Sequence, residues 1–151
     1  MGQQQLLLIV LGVIIVGIAI AVGISMFKSN AQSSNRDQVI NDLNNLAAKA
    51  QQYYRKPTAM AGGGQSFVGF WLAPVDTGNA NGSYTTTMTG PFTAGTYVTF
   101  TPATGTPTDS VSTPQTMYIV WQGTEIGNDG KNKVEAAATI TQNGVQTTVL
   151  N

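Results

Sequence analysis

Leu6 to Phe27 is a run of 22 residues with no charged side chain, built almost wholly of Leu, Ile, Val, Gly and Ala. As a helix rising 1.5 Å per residue it covers roughly 33 Å, enough to cross the hydrocarbon core of a bilayer. Such a surface has to meet lipid or other apolar chains, because water is a poor solvent for all of it. A cleaved secretory signal would want a basic start and an apolar stretch of about 7 to 15 residues before a small-x-small site. Met1 to Gln5 holds no Lys or Arg and the run is longer than that, although Ser29-Asn30-Ala31 has the form of a cleavage site. Residues 1–27 therefore read as a retained helix, in a membrane or in the core of a polymer.

Within it, Gly17, Ala21 and Ser25 recur every fourth residue, with Ala19 and Gly23 beside them. Rows of small residues let helices approach closely in apolar surroundings, where dispersion contacts supply the attraction. The row favours self-association over a plain single-pass anchor.

Charge divides the remainder. The chain of 151 residues has zero formal net charge and is only 9% charged, against about a quarter for an ordinary soluble domain. Lys28 to Lys56 holds five basic and two acidic residues, and Pro57 onward holds two basic and five acidic, so a +3 stalk is joined to a −3 head. In a polymer the stalk of one copy could lie beside the head of another, which predicts salt sensitivity. Lys28 and Arg36, just past the apolar run, would by the positive-inside rule place that flank in the cytoplasm, but two charges are a modest bias. There is no His and no Cys, which removes disulfides, thiolate nucleophiles, imidazole bases and zinc-finger spacings. Balanced charge argues against nucleic acid as a partner.

Residues 28–56 read as an amphipathic helix. Val39, Ile40, Leu43, Leu46, Ala47, Ala50, Tyr53 and Tyr54 fall at three- and four-residue spacings, predicting one stripe that packs on a head domain. Arg55 and Lys56 suit a helix C-terminus and Pro57 disfavours continuation. Gly62-Gly63-Gly64 reads as a flexible break. Ser29, Ser33, Ser34 and Asn35 are good N-caps, so one helix from about Gln3 to Lys56 and two helices with a kink are both compatible with the sequence.

Residues 57–151 have strand-and-turn composition. Strands are expected at Ser66–Leu72, Ser83–Thr89, Thr96–Thr101, Thr116–Gln122, Lys133–Thr141 and Val145–Leu150, with turns at Asn128-Asp129-Gly130 and Asn143-Gly144. Short strands joined by turns predict an antiparallel meander with one face for the helix and the other for solvent or a neighbour. Pro102 to Pro114 reads as a Thr/Ser/Pro-rich loop with little to bury. The fold class is α+β: a long N-terminal helix packed on a small antiparallel β head. The Thr-rich, nearly uncharged surface between residues 58 and 124 suits contact with copies of itself, a coat of O-linked sugar, or simply a neutral domain. Asn81-Gly82-Ser83 fits an N-glycosylation acceptor.

No catalytic constellation emerges. Asp129 lies in a turn that lacks the alternating ligands of a calcium loop, the triple glycine lacks the strand and Lys of a phosphate loop, and Glu125 and Glu135 are expected at the surface. Tyr53, Tyr54, Phe67, Phe70 and Trp71 fit core packing at the helix-to-head junction. The expectation is a non-enzymatic protein with no cofactor, no metal and no small-molecule ligand.

An uncharged N-terminal helix, an amphipathic continuation and a small antiparallel β head resemble the type IV pilin superfamily over the whole chain. That resemblance implies an extracellular filament whose core is a bundle of the apolar helices, with the membrane as partner before assembly, the chain itself as partner afterwards, and an assembly machinery. Bacterial members usually carry Glu at the fifth mature position, thought to pair with a neighbour's N-terminal amine. Here Gln5 stands there if Met1 is the first mature residue, while cleavage after Gly2 would make Gln3 the first. With no Pro in the helix and no cysteine pair, the chain looks closer to compact or archaeal-type members. The implied function is a structural subunit of a cell-surface helical filament serving adhesion, motility or attachment. The alternatives are a non-polymerising pseudopilin or a single-pass surface binding module, and a conducting filament is disfavoured because Phe27 is the sole aromatic in the membrane half.

Overall fold

The computed structural model describes residues 2–86, 90–107 and 110–151. One helix, α1, runs without interruption over Gly2–Arg55, 54 residues or about 80 Å. The Ser29 to Asn35 stretch stays helical, so of the two readings left open by the sequence the continuous helix holds. Among the described residues five strands follow: β1 (Gly78–Asn79), β2 (Gly82–Thr85), β3 (Thr116–Ile126), β4 (Lys133–Thr141) and β5 (Val145–Val149). They pair only with their sequence neighbours, all antiparallel, in the order β1-β2-β3-β4-β5. The fold is α+β, one long helix on an antiparallel meander.

The helix ends in a packed cap. Gly63 N–H donates to Tyr53 O and Gln65 N–H to Tyr54 O, both at 2.8 Å, and Gly64 N–H donates to Lys56 O at 3.0 Å. These bonds satisfy carbonyls that a helix C-terminus leaves without partners. A Cβ on Gly63 would lie 1.8 Å from Ser66 O, and one on Gly62 would lie 2.2 Å from Lys56 O. The triple glycine is thus a close-contact cap and not the flexible break that its composition implied.

Two layers cover the sheet. Met117, Ile119 and Trp121 of β3 with Val134, Ala136, Ala138 and Ile140 of β4 meet Val39, Leu43, Leu46, Ala47, Ala50 and Tyr54 of α1 in the main core. The alanines of β4 keep that face shallow enough for a helix to lie against it. Where Asn35 crosses the sheet, the paired glycines Gly82 and Gly123 make room; a Cβ on Gly123 would stand 2.5 Å from both Asn35 Oδ1 and the Trp121 ring.

The second face is not left to solvent. Val120, Ala137 and Leu150 are buried there beneath Phe92, Val98 and Phe100, and Phe92 stands edge-on to Tyr118. The expected strand Thr96–Thr101 is therefore an irregular strap across the sheet. Its Val98 N–H donates to the Glu135 carboxylate at 2.9 Å instead of to a neighbouring strand.

The expected strand Ser66–Leu72 is also absent. Phe70 N–H folds back to Phe67 O, and Gly69 takes φ +85°, outside the extended region. Gly69 and Phe70 instead exchange backbone bonds with Val111, which is buried, so the Pro102 to Pro114 loop does contribute to the core. Of the strand expected at Ser83–Thr89 the structure has β2, and Thr87, Met88 and Thr89 lie outside the described residues. β3 runs four residues past the expected Gln122, through a bulge between Gln122 and Ile126.

Candidate assembly and membrane surface

The same helix has two environments. From Asn35 onward one stripe is buried, comprising Asn35, Val39, Leu43, Leu46, Ala47, Ala50 and Tyr54; Ile40 and Tyr53 are half-buried at its margins. Tyr54 lies against Phe67 with ring centroids 4.7 Å apart, and Tyr53 meets Phe70 edge-on at 5.4 Å. Gly2 to Asn30, by contrast, is exposed at every residue. Its large apolar side chains are between 48% (Val10) and 78% (Phe27) exposed, close to what an isolated helix would show.

Gly17, Ala19, Ala21, Gly23 and Ser25 lie in this uncovered segment, as does Gln5. A Cβ added at Gly12, Gly17 or Gly23 would meet nothing within 4 Å. Gly17 and Gly23 therefore have no packing role inside one copy of the chain. The segment is long and apolar enough to cross a membrane, and none of that window is buried.

The head carries polar clusters that hold it to the stalk. Asp42 Oδ2 accepts from Asn79 Nδ2 at 2.8 Å and from the Tyr84 hydroxyl at 3.0 Å. Burial, and then the negative charge of Asp42, push the Tyr84 phenol well above its ordinary range. Lys49 of the stalk pairs with Asp76 of the head at 2.5 Å, so one of the opposite-charge contacts expected between copies is made within a copy. Gln32 Nε2 donates to Asn128 Oδ1 at 3.2 Å, tying the β3–β4 turn to the helix.

Glu135 is wholly buried, which corrects its expected surface position. It lies on the strap side of the sheet, where its carboxylate accepts from Val98 N–H and, at 3.2 Å, from its cross-strand partner Gln122. Burial raises its pKa, and those two donors only partly offset the effect. Asp129 is exposed and closes the β3–β4 turn by accepting from Lys131 and Asn132 backbone N–H, each at 2.9 Å. Those amides hold its pKa down to about 2. Asn81, half-buried, occupies the β1–β2 turn; its N–H bonds Asn79 Oδ1 and its carbonyl accepts from Asn35 Nδ2.

Among the described residues no three His, Cys, Asp or Glu side chains come together as a metal-binding group. The surface with the largest unmet physical demand is the uncovered helix. Comparison with family models, with curated proteins and with solved structures gave no match.

Proposed function

We propose that this chain is a structural subunit of a type IV pilus-like helical filament on the cell surface, held in the membrane by Leu6 to Phe27 before it polymerises. The observation that carries the reading is the contrast along α1: a folded head covers residues 31–55 and leaves 29 residues bare. On the order of 1,500 Å² of apolar helix surface per copy, at about 25 cal/mol per Å², makes exposure to water unfavourable by tens of kcal/mol. Lipid removes that penalty in the membrane, and only neighbouring copies remove it outside.

The row Gly17, Ala21, Ser25 supports helix-on-helix packing, because small side chains let backbones approach closely and a Cβ at Gly17 would meet nothing within 4 Å in its own chain. Sheared surface material viewed by electron microscopy, with N-terminal sequencing of the subunit, tests the reading. Fibres made of this chain are expected. A chain extracted only as detergent-bound monomers, with no fibres, would replace it with the membrane-anchored display module.

A further inference from the structure

The turn joining β3 to β4 reaches down α1 to the end of the apolar run. There Ser25, Lys28, Ser29 and Gln32 on the helix face Glu125, Ile126, Gly127 and Gly130 across an open groove of about 460 Å³. The helical residues lie at i, i+3, i+4 and i+7, so they share one face. Two oppositely charged side chains line this groove, and neither is used elsewhere. Among the described residues the salt bridge is Lys49–Asp76, and neither Lys28 nor Glu125 has an ion pair or side-chain hydrogen bond.

Depth decides what such a groove meets. If Leu6 to Phe27 crosses the hydrocarbon core, Lys28 to Gln32 occupy the next 6 Å or so of axis, which is the headgroup layer. Lys28 is a compact cation with three donors, and Ser29 brings a hydroxyl donor to the same face at the same depth. Glu125 supplies an anion on the opposite wall. Ile126, 54% exposed, adds an apolar edge at the same level.

We propose that this groove binds the zwitterionic headgroup of a phospholipid, with Lys28 and Ser29 on the phosphate and Glu125 on the ammonium group. The inference rests on the membrane-inserted stage of the reading above, and it adds a ligand class to it. The bound headgroup would brace the head against the membrane surface through the turn that Gln32 and Asn128 already tie to the helix. An anionic headgroup fits less well, since it would satisfy Lys28 and oppose Glu125.

The test uses the full chain in detergent micelles, titrated with dioleoyl phosphatidylethanolamine, dioleoyl phosphatidylglycerol or dioleoylglycerol and read by native mass spectrometry. A one-to-one phosphatidylethanolamine adduct is expected, weakened about tenfold or more by Lys28→Gln or Glu125→Gln, since each removes a charged partner. Glu125→Gln should also shift preference toward phosphatidylglycerol. Equal retention of phosphatidylethanolamine and dioleoylglycerol, or adducts indifferent to both substitutions, would overturn the proposal. Both positions are on the surface, and an unchanged melting curve of each variant shows that the head is intact. Flotation with phosphatidylethanolamine/phosphatidylglycerol vesicles separates the two levels. A chain that does not float removes the membrane reading itself, whereas one that floats without headgroup preference removes only the groove.

Discussion

The two halves of α1 have the same backbone and opposite obligations. Ala31 to Arg55 concentrates its apolar residues in one stripe, and the sheet buries that stripe. Leu6 to Phe27 carries apolar residues all round, and none of them is buried by the described residues. A stripe can be satisfied by one flat partner, whereas an all-round apolar cylinder needs a surrounding medium or several neighbours. The contrast teaches that the head supplies a partner for the stripe and none for the N-terminal half of the helix.

The strongest way to break this comparison is to enlarge the small-residue row. Gly17→Leu or Ala21→Leu should abolish fibres under the electron microscope while leaving the melting temperature of the head unchanged, because Gly17 has no intramolecular neighbour. Normal fibres from both variants would remove the packing argument. Truncation should give the converse result. Leu43→Ala, in the fully buried stripe, is expected to cost the head about 2 to 5 kcal/mol in denaturant unfolding, and Leu11→Ala less than about 0.5 kcal/mol. Equal losses would mean that the two halves are not distinct.

A smaller effect tests how closely the stalk approaches the sheet. Gly123→Ala places a methyl group against Asn35 and the buried Trp121, and about 1 to 3 kcal/mol of destabilisation is expected by the same measurement. The smallest effects are electrostatic and differ in sign across the head. Glu135 has a raised pKa when folded, so its favourable contribution is fully present below the ordinary Glu range and is lost as pH rises through the folded value. Glu135→Gln should therefore be the more stable protein at neutral pH, with the gap closing as the solution is acidified. Asp129 has the opposite linkage: its pKa is lowered to about 2, so its contribution is present above the ordinary Asp range and is lost as pH falls toward that value. Thermal melts of wild type, Glu135→Gln and Asp129→Asn between pH 2 and pH 8 would separate the two, and parallel curves would contradict both assignments.

Much of the architecture was legible in the residues. The period of Val39, Leu43, Leu46, Ala47, Ala50 and Tyr54 marks a helix with one buried face, and Asn143-Gly144 marks a hairpin between β4 and β5. These signals are local, since each depends on residues within a few positions of one another. What failed was equally physical. Thr96–Thr101 and Ser66–Leu72 have strand composition, but a strand also needs a free edge in register. Val98 found the Glu135 side chain and Gly69 found Val111 instead. Glu135 read as a surface residue because the strap that buries it lies about 40 positions earlier in the chain. The Lys28–Glu125 groove was invisible for the same reason, as nearly a hundred residues separate its walls.

The sequence by itself determined that 22 consecutive residues are uncharged and apolar enough to cross a membrane, that a stripe follows on the same helix, and that a β domain comes after it. Those are consequences of side-chain transfer free energies and of the 3.6-residue and 2-residue periods. Only the tertiary structure decided that the helix is unbroken, that the sheet is covered on both faces, and that the domain stops at residue 31 and leaves the preceding segment bare. Each of these is set by contacts between distant parts of the chain, where burial and backbone pairing compete for the same atoms and no short stretch of sequence records which one wins.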